Sequence, residues 1–328
     1  MISSYIKLIR KVRKRLTTKS VTIRSANLTV HPVGLGTNAV GGQKYYPDIT
    51  DEDGRRVLHA ALEHGVNFWD TAYTYGPKRS EEIIGEVLKE TGRRTEIVLA
   101  SKAAHDDSTG ETVFNNRPEF LKQAVEDSLR RLQTDYIDLF YIHFPDDSTP
   151  KYEAVGALKQ LKDEGKIRAI GVSNFSIEQL KEANQDGYVD VYQGKYNLLD
   201  RSAEEELFPY TLEHNISFVP YFPLASGLLA GKYTESTTFP EGDLRRDQPD
   251  FQPKRFKEIL QQVEKVRNIA KEKNVEVAQL VLATYLHHEA IDVVIPGAKH
   301  PEQIDYNVQS AQITLSSEEI NKVYEAFS

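Results

Sequence analysis

Three ionisable residues stand where apolar runs stop. Asp70 ends "VNFWD", Lys102 follows "IVLAS" and His143 follows "YIDLFYI", while Tyr75 lies in the segment just past Asp70. A lysine among apolar neighbours is costly unless it is paired, and Asp70 can pair with it. The resulting ammonium stabilises a nearby phenolate and lowers a tyrosine pKa from its reference near 10. Tyr75 then becomes a proton donor at neutral pH, and His143 can orient a carbonyl oxygen. This chemistry suits an oxygen that gains negative charge as its carbon is reduced. No side chain can supply the hydride, so a cofactor must. Taken singly, each residue has a plainer reading: Asp70 as a turn cap, His143 as a core histidine bonded to backbone. A Schiff-base lyase with Lys102 as nucleophile shares the geometry. It needs a depressed lysine pKa, and Asp70 pushes the other way.

The four groups can meet only if the elements carrying them end side by side. Short β-rich runs alternate with helical periodicity along the whole chain. "VTIRS" and "LTVHPVGLGT" open it, the first as a cap hairpin. "VNFWD", "EIVLAS", "YIDLFYIHF", "IRAIGVSN", "DVYQGKYN", "ISFVPYFPL" and "IDVVIPGA" read as strands. Helices are expected over Asp51–His64, Ser80–Glu90 with Ser80 as N-cap, 117–132, Tyr152–Glu164, 176–184 and 202–215. Others are expected over Arg255–Lys273, Val277–Leu286, Pro301–Gln309 and Ser316–Phe327. Strands apolar throughout must be covered on both faces. About eight βα units without a linker predict an α/β fold, a (β/α)8 TIM barrel with an N-terminal β-hairpin cap, a long loop after strand 7 and C-terminal helices. A doubly wound sheet is the alternative, but no G-x-G-x-x-G follows the first strand. The unbroken polar stretch from Thr234 to Lys254 reads as a lid over the active face. In a barrel the site lies where strands end, and chain-adjacent strands are neighbours, so Asp70, Lys102 and His143 are expected to converge.

Composition narrows the classes. The chain has 328 residues, 39% hydrophobic and 27% charged, with no cysteine. Disulfides, thiolate metal sites and a cysteine nucleophile are therefore excluded. Adjacent His287 and His288 cannot both face one ion on a helix, so no metal is expected. No apolar run is long enough to span a membrane. Net charge is -8, yet residues 1–19 hold seven Lys or Arg and no acid. The acidic body offers nothing to nucleic acid. The basic segment is expected to be a disordered extension, with a membrane-surface or nucleic-acid arm as the alternative. Residues 20–328 are expected to form one barrel, located in the cytoplasm.

Further motifs carry a resemblance. "DTAYTYG" with Ser80-Glu81, Ser101-Lys102, Tyr141-Ile-His143, "GKIRAIGVSNFSIEQL", "YQGKYNLLDR", "VPYFPLASGLLAGKY" and "VVIPGAKHPEQIDYNV" occur in order. From about Val21 to Ala326 the chain resembles the aldo-keto reductases, most of all the Bacillus inositol-utilisation and general-stress types. The resemblance implies a catalytic tetrad of Asp70, Tyr75, Lys102 and His143, a small carbonyl or polyol substrate, and NADP held without a Rossmann fold. It implies that Thr37 and Asn38 lie beside the nicotinamide ribose, that Ser173, Asn174 and Gln193 grip the carboxamide, and that Tyr221 stacks on the ring. Pro223, Leu224, Ser226, Gly227, Leu229, Gly231 and Lys232 would wrap the pyrophosphate, with Arg245 reaching the phosphates. Gly297, Lys299, Gln303 and Asn307 match the adenosine-phosphate end. An arginine common in other members is replaced by Gln303, so NAD is a second candidate cofactor. Ser173-Asn174 would equally cap a helix, and the glycine-rich loop would equally be a turn. Trp69 precedes Asp70 within a strand and is expected in the core. The family also includes regulatory barrels that keep the tetrad, which leaves a slow-turnover nucleotide sensor as the rival function.

Overall fold

Val21, Ile23, Leu28 and Val30 alternate with polar residues. They form two short strands, β1 (Val21–Ile23) and β2 (Leu28–Val30), paired antiparallel with Val21 opposite Val30. Asn27 turns the corner at φ 50°, a left-handed conformation asparagine tolerates. The computed structural model describes residues 20–42, 46 and 48–328, so the basic extension 1–19 lies outside the described residues.

Strands and helices then alternate. β3 (Leu35–Gly36) leads to α1 (Asp51–Glu63), and β4 (Phe68–Asp70) to α2 (Arg79–Thr91). β5 (Val98–Ala103) is followed by a small antiparallel hairpin, β6 (His105–Asp106) with β7 (Val113–Phe114), and then α3 (Pro118–Leu132). β8 (Ile137–Ile142), α4 (Lys151–Asp163), β9 (Ile167–Ser173), α5 (Ile177–Ala183), β10 (Val191–Lys195), α6 (Leu207–Glu213) and β11 (Ser217–Tyr221) continue the rhythm. α7 (Pro253–Glu272), α8 (Val277–Leu286), α9 (Pro301–Gln309) and α10 (Ser317–Glu325) complete the chain.

The parallel sheet runs β3-β4-β5-β8-β9-β10-β11. "IDVVIPGA" makes no regular ladder. It bridges the two free edges instead: Ile291 meets Phe218 on β11, while Val294 meets Val33 just before β3 and Gly297 meets Gly36 within it. Pro296 and Pro32 lack an N–H, which prevents a continuous ladder. The donors that remain still pair, Gly34 N with Val294 O at 2.8 Å and Gly36 N with Pro296 O at 3.1 Å. With this segment as the eighth strand, the sheet closes into the expected (β/α)8 barrel.

Side chains alternate between the two faces of a strand, and the barrel sorts them into two cores. Trp69, Leu99, Phe140 and Ile170 point outward and pack under the helices. Phe68, Ala100, Leu139, Ala169, Val191, Val219 and Val293 point inward, and Ile23, Leu28 and Val30 of the hairpin plug this interior. The next inward residues along the same strands are Asp70, Lys102, Tyr141, Gly171 and Gln193. Gly171 is glycine because a Cβ there would lie 2.2 Å from the Tyr141 ring. Trp69 is fully buried, its indole N–H donating to Val66 O at 2.8 Å, as expected.

Three local expectations are corrected, and one small hairpin is added. Ser80 does not cap α2. The helix begins at Arg79 behind Lys78, which has φ 74°, and buried Ser80 instead donates to Thr37 O and accepts from Thr71 Oγ1 at 2.9 Å. The helix expected over 202–215 breaks into a 3-10 turn at Ser202–Glu204 and the shorter α6. Pro209 is tolerated only in a first turn, so α6 must begin just before it. The stretch from Thr234 to Lys254 is not an unbroken loop. Turns of 3-10 helix form at Leu244–Asp247 and Pro249–Phe251, and Tyr233, Phe239, Phe251 and Phe256 cluster beneath them. The β6–β7 hairpin was not anticipated, because two-residue strands carry no readable periodicity.

Candidate active site and cofactor cradle

The inward layer above the apolar interior is polar. Lys102 Nζ donates to Asp70 Oδ1 at 2.5 Å and to Thr71 O at 2.8 Å, and both Lys102 and Asp70 are buried. Gln193 Nε2 donates to the other carboxylate oxygen at 2.9 Å. Strand register puts them there: Asp70 pairs with Ala100, two residues before Lys102, and Lys102 lies opposite Tyr141. The Lys102 nitrogen is 5.1 Å from the centre of the Tyr75 ring and 5.5 Å from that of Tyr141. Tyr75 and His143 meet edge to face at 6.4 Å. The four expected catalytic residues therefore converge.

Two features of this cluster differ from the sequence reading. Burial pulls the Lys102 pKa below its ordinary value, and the opposing pull of Asp70 does not overcome it. The direction a Schiff-base lysine needs is thus present, because desolvation in a closed barrel outweighs one carboxylate. The nitrogen is nevertheless buried and tied to Asp70 and Thr71. Gln193, expected at a carboxamide, also donates one amide N–H to Asp70 and steadies the carboxylate, a bond the sequence did not show.

His143 has a pKa well below the usual imidazole range, first through burial and then through the charge of Lys102 and the neighbouring His105. It is neutral at pH 7 and so has one donor and one acceptor nitrogen. Its Nδ1 is sealed from solvent without a hydrogen-bond partner, as is that of His105. His105 lies 5.4 Å from His143 between ring centres, and Phe114 stacks on Phe144 at 4.8 Å beside them.

The mouth opposite these rings is lined by the strand ends of β9 and β11. Asn174, at φ 63°, donates to His143 O at 3.0 Å and accepts from the Tyr221 hydroxyl at 2.7 Å. Buried Ser173 accepts from Asn174 Nδ2 at 3.1 Å. Neither residue caps the following helix, since Ser176 caps α5. Thr37 faces inward to the protein, donating to Asp70 O at 3.0 Å.

Beyond Tyr221 the backbone is strained. Phe222, Ala225, Ser226 and Gly227 all have positive φ. Gly227, at φ 94°, takes a conformation that strains any residue with a Cβ, and glycine takes it freely. Pro223 O accepts from the Tyr285 hydroxyl at 3.0 Å, and Leu224 packs on the core as a partly buried side chain. Leu229 is fully buried, so only its backbone can reach a ligand. Gly231 is glycine for packing: a Cβ would lie 2.8 Å from Val277.

Arg245, Lys232 and Lys299 gather at the end of this loop. Arg245 pairs with Asp243 and donates to the Tyr233 hydroxyl at 2.8 Å. The Lys299 nitrogen lies over the Tyr46 ring at 4.0 Å, and Asn38 Nδ2 donates to the Tyr46 hydroxyl at 3.0 Å. Gly297 abuts Asn38, where a Cβ would come within 2.9 Å of Oδ1. Burial and then the charges of Arg245 and Lys232 pull the Lys299 pKa down, and burial and then Arg245 do the same to Lys232. Anionic phosphates would relieve this repulsion, so the cradle fits a dinucleotide. Gln303 Oε1 accepts from Lys299 N at 2.7 Å and so shapes the start of α9, while Asn307 is buried on that helix. Tyr46, Tyr233 and Asp243 were missed from sequence, where nothing distinguishes them from other loop residues.

Among the described residues no helix is long and apolar enough to cross a membrane, and no group of three or more His, Asp or Glu could hold a metal ion.

The family model "Aldo/keto reductase family" matches residues 32–327. Aldo-keto reductase YhdN of Bacillus subtilis (strain 168) is 39% identical over 309 residues, covering 93% of each chain. The NADP(+) aldo-keto reductase yakc of Schizosaccharomyces pombe is 35% identical over 310 residues, covering 93% of this chain and 91% of its own. The structure of the glycerol dehydrogenase AKR11B4 from Gluconobacter oxydans superposes with a TM-score of 0.85 at 34% identity, covering 94% of each chain. The chain belongs to the aldo-keto reductase family.

Proposed function

We propose that this protein reduces small aldehydes, ketones or sugar carbonyls, and reversibly oxidises the corresponding alcohols, with Tyr75 as the general acid. The observation that carries this reading is the Lys102 ammonium, anchored by Asp70 and lying 5.1 Å from the centre of the Tyr75 ring. When bound, a nicotinamide cofactor supplies the hydride. Tyr75 passes its hydroxyl proton to the carbonyl oxygen as that oxygen gains charge. Lys102 stabilises the phenolate left behind, which lowers the barrier to transfer. Neutral His143 offers an N–H to the same oxygen and orients it. Asp70 and Gln193 keep the lysine in place.

NADP is the cofactor the cradle suits best. Lys232 and Arg245 would hold the phosphates, and Lys299 the 2'-phosphate that distinguishes NADP from NAD. Asn174 and Tyr221 would receive the nicotinamide end. A relative is named for NADP(+), and the absence of an arginine at position 303 leaves NADH as a second reductant. Residues 20–328 acting as one domain in the cytoplasm, apart from nucleic acid, belong to the same proposal, and limited proteolysis and cell fractionation test them.

The test is Tyr75→Phe, assayed with small aldehydes and both reduced cofactors. Reduction is expected to fall by about 10²–10⁴-fold, the worth of a general acid, with NADPH affinity retained. A variant that keeps most of the wild-type rate removes Tyr75 from this role. Wild-type protein that binds NADPH tightly yet turns over no carbonyl supports the sensor reading instead.

A further inference from the structure

We infer that His105 is a second imidazole facing the substrate and that it selects carbonyl compounds carrying a hydroxyl on the neighbouring carbon; this rests on the reductase reading above. The histidines with structural roles in this chain are recognisable by their bonds. The ring of His31 bonds Val33 O at 2.9 Å, that of His214 bonds Tyr210 O at 3.0 Å, and that of His287 bonds Ala283 O at 2.8 Å. His105 makes no such bond, and its Nδ1 is sealed from solvent without a partner. The only other ring with a sealed, unpartnered nitrogen among the described residues is His143, the group assigned to the carbonyl oxygen. Buried polar atoms left unbonded are rare, and a place in catalysis is one of the few reasons a fold keeps them.

The placement follows from the fold. β6 starts two residues after β5, the strand that carries Lys102, so His105 stands one step further out along the same wall. Phe114 on β7 meets its ring edge to face at 5.1 Å, and Phe144, next to His143, does so at 5.5 Å. These contacts hold the imidazole at a fixed angle, 5.4 Å from His143 between ring centres. Burial also keeps His105 below the usual imidazole pKa, against the opposing charge of Asp107. The ring is therefore neutral, and because its Nδ1 is sealed a substrate hydroxyl can meet only the other nitrogen, Nε2, which donates or accepts one hydrogen bond. Two neutral imidazoles side by side, walled by Phe114 and Phe144, suit a short carbon chain with oxygens on adjacent carbons. One oxygen is the carbonyl at His143. The other is a hydroxyl at His105.

The test uses the full chain with NADPH and two aldehydes of equal carbon number, glyceraldehyde and propanal, in wild type, His105→Phe and His105→Asn. The readout is the ratio of the two kcat/KM values, so any loss shared by both substrates through repacking drops out. His105→Phe is expected to lower the glyceraldehyde-to-propanal ratio by about tenfold, the worth of one hydrogen bond to a polar partner. His105→Asn, which keeps a donor and an acceptor, is expected to recover part of it. An unchanged ratio in both variants overturns the inference, as does a ratio that falls equally in both. Wild-type protein that reduces neither aldehyde nor any other small carbonyl overturns the reductase reading itself, a separate outcome.

Discussion

The two poles of the barrel mouth are built on opposite principles. At the catalytic pole Lys102 and Asp70 are sealed, Lys102 donating to Asp70 and to Thr71 O, and Gln193 donating to the other oxygen of Asp70. These groups come from regular strands, so register sets their spacing. At the proposed phosphate pole Lys232, Arg245 and Lys299 come from loops and a short 3-10 turn, stay partly exposed, and repel one another, with Asp243 paired to Arg245 and Asp48 also attracting Lys299. At the first pole the ion pair is complete without a ligand. The other is left with excess positive charge that an anion can neutralise. Preorganised electrostatics serve a reacting centre, whereas unspent charge serves binding.

The largest effect that could break this contrast is Lys102→Met. Loss of the ammonium is expected to cut kcat by about 10²–10³-fold and to leave Asp70 buried and unpaired, at a cost of about 3–5 kcal/mol. Urea unfolding measures the second term. The double variant Asp70→Asn with Lys102→Met should recover much of that stability and none of the activity, since removing both partners of a buried pair spares the uncompensated charge. Equal stability of the single and double variants would show that the pole is not a closed ion pair.

A smaller effect is expected at the other pole. Lys299→Ala should weaken NADPH by about tenfold, the scale of one charge-assisted hydrogen bond, with little change for NADH and no loss of fold stability. Equal weakening of both cofactors, read by fluorescence titration, would remove Lys299 from the 2'-phosphate.

The smallest and sharpest test is pH. A lysine is cationic below its pKa, and burial with like charge lowers those of Lys299 and Lys232. Their charge is therefore lost at lower pH than that of an ordinary lysine, near 10.4. NADPH affinity of the free protein is expected to decline as pH rises toward that value, and more steeply than NADH affinity. A flat NADPH profile throughout that range would place the phosphates elsewhere.

Much of the catalytic pole was legible because a strand imposes a period of two. Once "VNFWD", "IVLASK" and "YIDLFYIH" are strands of one parallel barrel, Asp70, Lys102 and His143 must end on its inner face. The burial of Trp69 follows from the same alternation. Ser80 was misread because a local N-cap pattern competes with tertiary hydrogen bonds, here to Thr37 and Thr71. The eighth strand was located but not its form, since two prolines reduce it to bridges. The loop-borne pole was read only through resemblance, and its partners Tyr46, Tyr233 and Asp243 carried no signal, because loop conformation depends on contacts distant in sequence.

By itself the sequence determined the alternation of elements, the inward face of each strand and hence the meeting of a carboxylate, an ammonium and an imidazole, because these depend on periodicity that is local. Only the tertiary structure decided that burial outweighs Asp70 at Lys102, that Gln193 serves Asp70, that Lys232, Arg245 and Lys299 share one patch, and that His105 stands beside His143 without a bond of its own. Desolvation and long-range charge depend on what surrounds a group in space, and no spacing along the chain encodes that.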